Sequence, residues 1–590
     1  MTEYAAPLAD MHFALDEIAR LPEITQLPGC EHALPDVVDA VLAEAAKLAG
    51  EVVAPLNRIG DIEKSRLENG VVRTPAGFKE AYRAYVDGGW SGLSSSPAYG
   101  GQGLPRVIDA AVNEMWMSAN LAWSLCPMLS VGAGELLELL GTERQKRLYL
   151  DRLVAGAWTG TMNLTEPQAG SDLGALRTRA LREGDHYRIV GQKIFITWGE
   201  HDMAANIVHL VLARLPDAPP GSKGISLFLV PKYLVNDDGS LGARNDLRCV
   251  SLEHKLGIHA SPTCVMSYGD DGGAIGYLVG AENRGLEAMF VMMNAARLHV
   301  GLQGVAIGER AYQQARAYAR ERVQGKPVTA KDGHRLPIVH HPDVRRMLLS
   351  MRAASEAARA LAYYTAGQAD RARYHPDAGR RAKAQARLDL LTPVVKAWCT
   401  DLGVEIASTG IQVHGGMGFV EETGAAQHLR DARIAPIYEG TNGIQANDLV
   451  GRKLLRDQGA ALGELVVEMR NALGSLNGHD ADGHLAHGIN ALERATRAIL
   501  DNAADDLGTA LAGAVPYLQL LGTVAGGWLM AESAAAADRW LRTGAGDRRF
   551  LEAKIATARF YAEHRLAQAP ALLPAVAGGR TVMGFDLDLL

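Results

Sequence analysis

Residues 437–445 read I-Y-E-G-T-N-G-I-Q and place a single carboxylate, that of Glu439, between an aromatic ring and a flexible corner. The apolar periodicity of residues 444–455 predicts a helix directly after this corner. A carboxylate among apolar neighbours at the mouth of a helix has the raised pKa that suits a general base. Acidic residues also cap first helical turns, so the stretch by itself leaves Glu439 as either a base or a cap.

Two earlier segments carry groups that suit a flat, phosphorylated ligand. Residues 162–172 end a predicted strand in a loop with hydroxyls at Thr165 and Ser171 and close backbone approach at Gly170. Residues 191–197 read G-Q-K-I-F-I-T, and strand alternation puts the Phe195 ring and the Thr197 hydroxyl on one face. Taken singly, the first segment is equally compatible with a simple β-turn and the second with an ordinary core strand.

Other familiar sites are not predicted. No glycine-rich dinucleotide motif or P-loop stands between a strand and a helix. The pair His340-His341 with Asp343 is interpreted as a solvated loop, because adjacent side chains on an extended segment point apart. His414, beside a glycine turn, is interpreted as a structural hydrogen-bonding residue. The five scattered cysteines contain no C-x-x-C pair, so no metal site is predicted.

Length and composition describe a large globular protein. The 590 residues exceed what one core can organise, which predicts three or four domains. A net charge of −7 lacks the clustered positive charge of nucleic-acid-binding proteins. Acidic residues close to the N-terminus argue against a signal peptide, and we expect a cytoplasmic protein with at most peripheral membrane contact. The uncharged residues 507–531 could span a bilayer, but their glycines, alanines and Pro516 favour a buried bundle helix broken near that proline.

The order of elements indicates segregated domains. Residues 1–157 have helical periodicity, and residues 158–285 contain short Val-, Ile- and Thr-rich segments typical of an antiparallel β domain. Residues 286–460 return to long helices that predict a bundle, and residues 461–590 predict a further helical extension. Polar connections are predicted at 325–341 and 474–487. The predicted fold is therefore mainly α with a central antiparallel β domain.

Five motifs occur in the order and spacing of one family. They are T-E-P-x-A-G-S-D at 165–172, G-Q-K-x-x-I-T at 191–197, Q-V-H-G-G-M-G at 412–418, R-D-A-R-I at 430–434 and I-Y-E-G-T at 437–441. In these motifs the chain resembles the acyl-CoA dehydrogenase family over about residues 40–460. The N-terminal segment and the C-terminal extension are similar to a larger subgroup, which includes 3-methylmercaptopropionyl-CoA dehydrogenases and bacterial long-chain acyl-CoA dehydrogenases. The implied fold is a helical domain, a β-barrel or sandwich and a four-helix bundle.

The resemblance implies roles for individual residues. Glu439 would be the catalytic base, and Ala295 and Ala296 leave no competing glutamate on the first bundle helix. The residues that would bind FAD are Met162, Leu164, Thr165, Gly170, Ser171, Phe195, Ile196, Thr197, Arg322, Gln412, Val413, Gly415, Gly416, Thr441 and Asn442. The residues that would contact the substrate are Ser171, Asn294, Arg297 and Gly440.

Within this set, residues 162–165 and 195–197 would hold the isoalloxazine ring. Arg322 would reach the FAD phosphates, and residues 412–416 would contact the adenosine part from the neighbouring subunit. The chain departs from the family pattern in two places. Phe195 stands where many members have Trp, and residues 321–326 are one residue shorter than usual and lack a Phe, which leaves the register after Arg322 open.

The implied reaction is α,β-dehydrogenation of an acyl-CoA thioester to the trans-2-enoyl-CoA, as in fatty acid β-oxidation. The implied cofactor is FAD, the acceptor is electron-transfer flavoprotein, and the assembly is a homodimer or tetramer. The backbone N–H of Glu439 and a flavin ribityl hydroxyl would stabilise the thioester oxygen. Two alternatives stay open: an acyl-CoA oxidase that reduces O2, and a DNA-associated flavoprotein of the same superfamily. The mixed charge of residues 460–590 disfavours DNA binding.

Overall fold

The structure, a computed structural model, describes residues 4–328, 335–474 and 483–589. Residues 329–334 and 475–482 of the two predicted polar connections lie outside the described residues. The chain divides into two compact units. The helical unit comprises residues 1–43, 105–114 and 297–590, and the sheet unit comprises residues 44–104 and 115–296.

The sheet unit is built on an eight-stranded sheet and two small hairpins. Its strands are β1 Arg66–Glu68, β2 Val71–Arg73, β3 Trp158–Asn163, β4 Arg179–Glu183, β5 His186–Thr197, β6 Asn206–Arg214, β7 Ile225–Pro231, β8 Tyr233–Val235, β9 Leu241–Arg244, β10 Leu247–Leu252, β11 Thr263–Tyr268 and β12 Ala274–Leu278. The spatial order is β10-β11-β5-β12-β7-β6-β3, with β4 beside β5 and β6. The central β domain predicted from the sequence is thereby confirmed.

The sheet departs from a purely antiparallel arrangement at β3, which pairs parallel with β6 from Trp158 to Asn163. All six residues of β3 are buried, as expected of a parallel strand covered on both faces. The helix Leu121–Leu140 covers one face, where the Ser130 hydroxyl accepts a 3.0 Å hydrogen bond from the Gly160 N–H. A Cβ on Gly160 would lie 2.3 Å from that of Ala133, so only glycine permits this approach.

The region before the sheet is helical except for the β1–β2 hairpin, which periodicity did not predict because each strand has only three residues. Its helices in the two units are Leu8–Phe13, Ala14–Ile18, Leu21–Ile24, Pro35–Leu48, Ala49–Val53, Leu56–Glu63, Phe78–Asp87, Arg106–Ala119, Leu121–Leu140, Glu143–Gln145, Lys146–Leu150 and Asp151–Val154. Short 3-10 turns lie at Trp90–Gly92 and Pro97–Tyr99, and later at Leu173–Ala175 and Gly221–Gly224.

Three long helices organise the chain after the sheet: Gly285–Glu321, of which residues from 297 belong to the helical unit, Pro342–Tyr374 and Ala378–His414. Shorter helices follow at Gly416–Phe419, Ala425–Ala432, Asn442–Asp448 and Leu449–Leu454, with 3-10 turns at Ile338–His340 and Glu421–Thr423. The extension contains Ala460–Leu473, His484–Asp505, Leu507–Ala512, Ala514–Thr543, Arg548–His564, Leu573–Ala577 and Gly579–Met583, with 3-10 turns at Leu566–Leu572 and Leu587–Leu589. These elements confirm a mainly α fold with a helical extension.

The helix Ala514–Thr543 is long and apolar enough to cross a membrane by length and composition, yet 78% of its most apolar window is buried inside the protein. It is therefore a buried helix of the extension, as expected. The break occurs at Gly513, between this helix and Leu507–Ala512, and not at Pro516. Pro516 lies in the first turn, where a helix does not need the missing N–H.

Candidate functional site

Glu439 occupies a strained corner of the helical unit. Its backbone has φ +56°, a left-handed conformation that a side chain with a Cβ rarely adopts, and Gly440 follows with φ +83°. The cap of the next helix, Asn442–Asp448, is Thr441, whose hydroxyl accepts a 3.2 Å hydrogen bond from the Ile444 N–H. Because Thr441 does the capping, the Glu439 carboxylate is not committed to the helix.

Two cations face this carboxylate. Burial raises the pKa of the partly buried Glu439, while the charges of Arg297 and Lys396 oppose that rise. The Glu439 carboxylate makes no hydrogen bond to any residue within the described ranges, whereas its carbonyl accepts one from Gln445 Nε2 at 3.2 Å. The hydroxyl of the preceding Tyr438 donates to Gln303 Oε1. The loop is thus held by its neighbours and leaves the carboxylate available for chemistry.

Close helix packing brings the two cations to the loop. A Cβ on Gly301 would lie 2.5 Å from the Val395 side chain, and one on Gly304 would lie 2.1 Å from the Cys399 carbonyl. These glycines let the helices Gly285–Glu321 and Ala378–His414 approach at backbone distance. Arg297 lies one turn before Gly301, and Lys396 follows Val395, so this crossing determines where both cations lie.

Arg297 is buried, with 5% of its surface exposed, and its Nη1 lies 3.5 Å from Asp448 Oδ2. Burial lowers the pKa of Arg297, and the carboxylates of Asp448 and Glu439 oppose this. The resemblance suggested Arg297 as a substrate contact. In the structure it is also a charge neighbour of the candidate base.

Lys396 is a residue that the sequence reasoning missed. It is fully buried, and burial lowers the pKa of its ammonium group to about 7 although Glu439 and Asp401 oppose this. Its Nζ donates a 2.9 Å hydrogen bond to Asn442 Oδ1. A lone lysine in the apolar run V-V-K-A-W-C at 394–399 was the signal that could have revealed it.

The Asn442 side chain, predicted to contact flavin, is fully engaged with the helix Ala378–His414. Its amide nitrogen donates to Ala397 O at 3.1 Å, Thr400 Oγ1 at 3.1 Å and Asp401 Oδ1 at 2.7 Å. Its oxygen accepts from Lys396. The Asn442 backbone N–H also donates, to Pro436 O at 3.0 Å, so the flavin contact expected of Asn442 stays a prediction.

In the sheet unit the two predicted ligand segments lie side by side. The Ile194 N–H donates to Thr165 O at 2.9 Å, and Lys193 Nζ donates to Leu164 O at 3.0 Å. The pairing of β5 with β11 shifts register between Lys193 and Ile196, so that a β-bulge contains Phe195. Phe195 has φ +58° and is 57% exposed. An exposed ring on a strained bulge beside a polar loop suits stacking on a flat ligand.

A buried ion pair fixes this loop. Glu166, 3% exposed, accepts hydrogen bonds from Lys193 Nζ at 2.8 Å, Thr178 Oγ1 at 2.6 Å and the Arg177 N–H at 2.6 Å. Burial raises the pKa of Glu166, but Lys193 and these hydrogen bonds prevail and lower it to about 2. The ion pair between Glu166 and Lys193 therefore holds the loop that carries Thr165 in place.

We expect Glu166→Gln to destabilise the protein at neutral pH by about 3–5 kcal/mol, because Lys193 is left buried without its counter-charge. The folded pKa of Glu166, about 2, lies below its unfolded value. Its contribution is thus present above the unfolded pKa and is lost as pH falls towards about 2. Urea unfolding of the variant and the parent at several pH values measures both effects.

Asp172→Asn is the matched control, since this exposed carboxylate of the same loop accepts a 2.9 Å hydrogen bond from the Gly174 N–H. We expect it to cost about 1 kcal/mol or less. Equal losses in the two variants, or a Glu166→Gln loss that does not shrink in acid, would contradict the assigned role of the pair.

The remaining predicted residues differ in exposure. Those at the surface are Gly170, Ser171, Asn294, Arg322, Gln412, Gly415 and Gly416. Those that are partly buried are Leu164, Thr165, Thr197, Gly440, Thr441 and Asn442. The side chains of Met162, Ile196 and Val413 are buried, so these three can offer a ligand only their main chain.

Arg322 and the glycine turn directly follow the ends of two helices, Gly285–Glu321 and Ala378–His414. The ring of Tyr318, one turn before Arg322, stacks on His414 with the ring centroids 4.5 Å apart. His414 Nδ1 lies 2.7 Å from Gly410 O, which agrees with a structural role. A Cβ on Gly415 or Gly416 would meet no atom within 4 Å, so this turn is open to a ligand or a second subunit.

Family models match nearly the whole chain. The acyl-CoA dehydrogenase N-terminal, middle and C-terminal domains match residues 39–157, 161–270 and 283–454. A model described as acetyl-CoA dehydrogenase C-terminal like matches residues 455–586.

Curated relatives are similar in sequence to this chain along most of their length. The 3-methylmercaptopropionyl-CoA dehydrogenase of Ruegeria pomeroyi is 50% identical over 96% of this chain and 97% of its own. The broad-specificity linear acyl-CoA dehydrogenase FadE5 of Mycobacterium tuberculosis is 36% identical over 96% of each chain. An acyl-CoA dehydrogenase of Bacillus anthracis, solved in complex with FAD, shares the fold with a TM-score of 0.73 at 21% identity, over 98% of this chain and 92% of that one.

Proposed function

Because this chain belongs to the acyl-CoA dehydrogenase family, we propose that Glu439 is the base with which it removes the α-proton of its substrate. The protein is an FAD-dependent oxidoreductase that dehydrogenates acyl-CoA thioesters. FAD, when bound, would supply the acceptor for the hydride that leaves Cβ. The observation that carries the proposal is a carboxylate with a raised pKa, free of side-chain hydrogen bonds to the described residues and faced by two cations.

The residues around Glu439 divide the work. The carboxylate takes the α-proton, and the C–H electrons form the new Cα–Cβ double bond. Burial raises the pKa of Glu439, and Arg297 and Lys396 oppose this rise and so favour the ionised form of the base. Thr441 caps the following helix, so the carboxylate at the left-handed corner formed by Glu439 and Gly440 is not needed for capping. We propose that the Glu439 N–H helps to bind the thioester oxygen, and that Asn294, Arg297, Gly440 and Ser171 contact the acyl-CoA.

The residues of the sheet unit fit the flavin ring system. The exposed Phe195 ring, the Thr165 and Thr197 hydroxyls and the main chain of residues 162–164 offer one apolar face and several polar groups. In the helical unit, Arg322 and the turn at 412–416 offer a cation and open backbone, which suits phosphate and adenosine. We propose these roles together with contacts from Thr441 and Asn442.

Phe195→Ala is expected to weaken FAD binding by about 3- to 10-fold, because an aromatic stacking contact contributes about 0.5–1.5 kcal/mol. Titration of the apoprotein with FAD, followed by flavin fluorescence, measures the dissociation constant. Leu241→Ala, at an exposed leucine of the same unit, serves as control. An unchanged dissociation constant for Phe195→Ala would exclude stacking by this ring.

The substrate proposed first is 3-methylmercaptopropionyl-CoA. It rests on the 50% identity over 96% of this chain and 97% of that relative, against 36% identity for the broad-specificity linear enzyme. A panel of 3-methylthio, short and long straight-chain acyl-CoAs, ranked by kcat/KM with an artificial acceptor, tests this. The highest kcat/KM on a long straight chain would reject the proposal and leave the dehydrogenase reaction in place.

We propose that the electron acceptor is electron-transfer flavoprotein and that the protein acts in the cytoplasm. We further propose that the protein assembles as a homodimer or tetramer. The exposed Met417 and Phe419, 46% and 87% accessible, follow the 412–416 turn and suit a subunit contact. Sedimentation of the parent and of Phe419→Ser tests the assembly.

Stoichiometric peroxide with substrate in air, and no reduction of electron-transfer flavoprotein, would favour the oxidase. The divisions 1–157, 158–285, 286–460 and 461–590 are retained as proposed domains.

A further inference from the structure

Three residues link the C-terminal extension to the segment after the base: Lys396, which is buried, and Asp401 and Gln519, which are partly buried. Lys396 and Asp401 bond to Asn442, three residues after Glu439, and Gln519 bonds to Asp401. We infer that these three residues position the catalytic loop and tune the charge at Glu439, so that the C-terminal extension takes part in building the active site. This inference rests on the proposed role of Glu439.

The first support is a continuous set of hydrogen bonds that ends on the loop. Lys396 Nζ donates to Asn442 Oδ1 at 2.9 Å, and Asn442 Nδ2 donates to Asp401 Oδ1 at 2.7 Å. Lys396 and Asp401 lie on one helix, so both the oxygen and the nitrogen of the Asn442 side chain are hydrogen-bonded to that helix. Because a partly buried amide whose oxygen and nitrogen are both hydrogen-bonded has one preferred orientation, the segment that begins at Glu439 is held in register.

The second support is the origin of the next contact. Gln519 Nε2 donates a 2.6 Å hydrogen bond to Asp401 Oδ2, and Gln519 belongs to the extension helix Ala514–Thr543. The same helix packs on the Trp398 ring through two glycines. A Cβ on Gly522 would lie 2.4 Å from Trp398 Cγ, and one on Gly526 would lie 2.7 Å from Trp398 Cη2. The extension therefore contacts that helix at Trp398, which lies between Lys396 and Asp401, and at Asp401 itself.

The third support is charge. The groups that act on Lys396 are Glu439 and Asp401, which favour its ammonium form, and Arg297, which opposes it. A positive Lys396 in turn opposes the rise in the pKa of Glu439 that burial causes. Removing this cation would raise the pKa of Glu439 further, and the base would then be protonated over a wider range of acidic pH.

The decisive test is the pH profile of anaerobic flavin reduction by acyl-CoA in Lys396→Met. We expect the acid limb to move to higher pH, with reduction up to about tenfold slower on that limb and within about twofold at the alkaline end, as one pKa unit corresponds to a factor of ten. Lys396→Arg should restore most of the profile. Lys383→Met, an exposed lysine of the same helix, should leave it unchanged. An unshifted limb in Lys396→Met overturns the inference.

Gln519→Leu tests the part played by the extension. We expect it to retain FAD and fold, yet to lower the rate of flavin reduction about three- to tenfold, because Asp401 loses the hydrogen bond from Gln519 and then holds Asn442 less firmly. Gln568→Leu, an exposed amide of the same extension, is the control. Parent-like reduction in Gln519→Leu would limit the extension to a stabilising role and overturn this part.

An infrared titration separates these outcomes from failure of the proposed function. The difference in carboxyl absorption between the parent and Glu439→Gln reports the protonation of Glu439 without turnover, and Lys396→Met should move its midpoint to higher pH. A shifted midpoint in a protein that acyl-CoA does not reduce would refute the proposed reaction and keep the charge coupling. Reduction of the parent with no shift in Lys396→Met would refute the coupling alone.

Discussion

Glu439→Gln is expected to retain bound FAD but to lose reduction of the flavin by acyl-CoA, with the rate lowered by about 10²- to 10⁴-fold. Gln is nearly isosteric with Glu and can adopt the same corner at φ +56°. It cannot accept the α-proton, because a neutral amide is a very weak base. Anaerobic mixing with saturating acyl-CoA, followed by loss of the yellow absorption, measures this step directly.

The controls separate chemistry from folding. Glu422→Gln changes an exposed carboxylate of the same unit and should reduce as fast as the parent. Glu439→Asp keeps the charge but withdraws it by one methylene, so an intermediate rate is expected. Full bleaching of Glu439→Gln at the parental rate would remove Glu439 from the mechanism and, with it, the roles proposed for Arg297 and Lys396.

Arg359→Met is expected to give the largest loss of stability in the helical unit, about 3–5 kcal/mol. Arg359, 1% exposed, donates to Glu114 Oε1 at 2.6 Å, to Asp10 Oδ2 at 2.6 Å and to Glu309 Oε2 at 3.0 Å. Lys554 of the extension also reaches Asp10, at 2.7 Å. Removing the central guanidinium leaves three buried carboxylates with too little positive charge.

Arg346→Met is the matched control, since this arginine lies on the same helix, is 53% exposed and pairs with Asp343 at 2.8 Å. An exposed pair of this kind contributes about 1 kcal/mol or less. Urea midpoints and melting temperatures of the two variants measure the difference. A loss in Arg359→Met no larger than that in Arg346→Met would show that the network contributes little net stability.

The pH dependence gives a second test of this network. Burial raises the pKa of Asp10, but Lys554 and Arg359 prevail and lower it to about 2. Because the folded pKa lies below the unfolded one, this stabilisation is present above about pH 4 and is lost as pH falls towards about 2. The difference in the free energy of unfolding between the parent and Arg359→Met should therefore become smaller in acid. A gap that stays constant down to about pH 2 would contradict this assignment.

Much of the fold was predictable because periodicity is local. The long helices Gly285–Glu321 and Ala378–His414 repeat apolar residues over ten turns, and the strands β5 to β7 are rich in branched residues. The family, the FAD cofactor and the dehydrogenase class followed from motifs that are contiguous in sequence, and the comparisons confirm them. The individual site residues and domain boundaries stay predictions.

By itself the sequence determined the family and singled out the residues predicted to carry the chemistry, since Glu439 stands in a contiguous motif. It did not determine what surrounds that carboxylate. Lys396 meets Asn442 across 46 positions, Gln519 meets Asp401 across 118, and Arg359 meets Asp10 across 349. The parallel pairing of β3 with β6 is equally non-local. Only the tertiary structure decided these contacts, because they depend on how closely helices and strands approach each other. At Gly301, Gly304 and Gly522 the close approach is possible because glycine has no side chain.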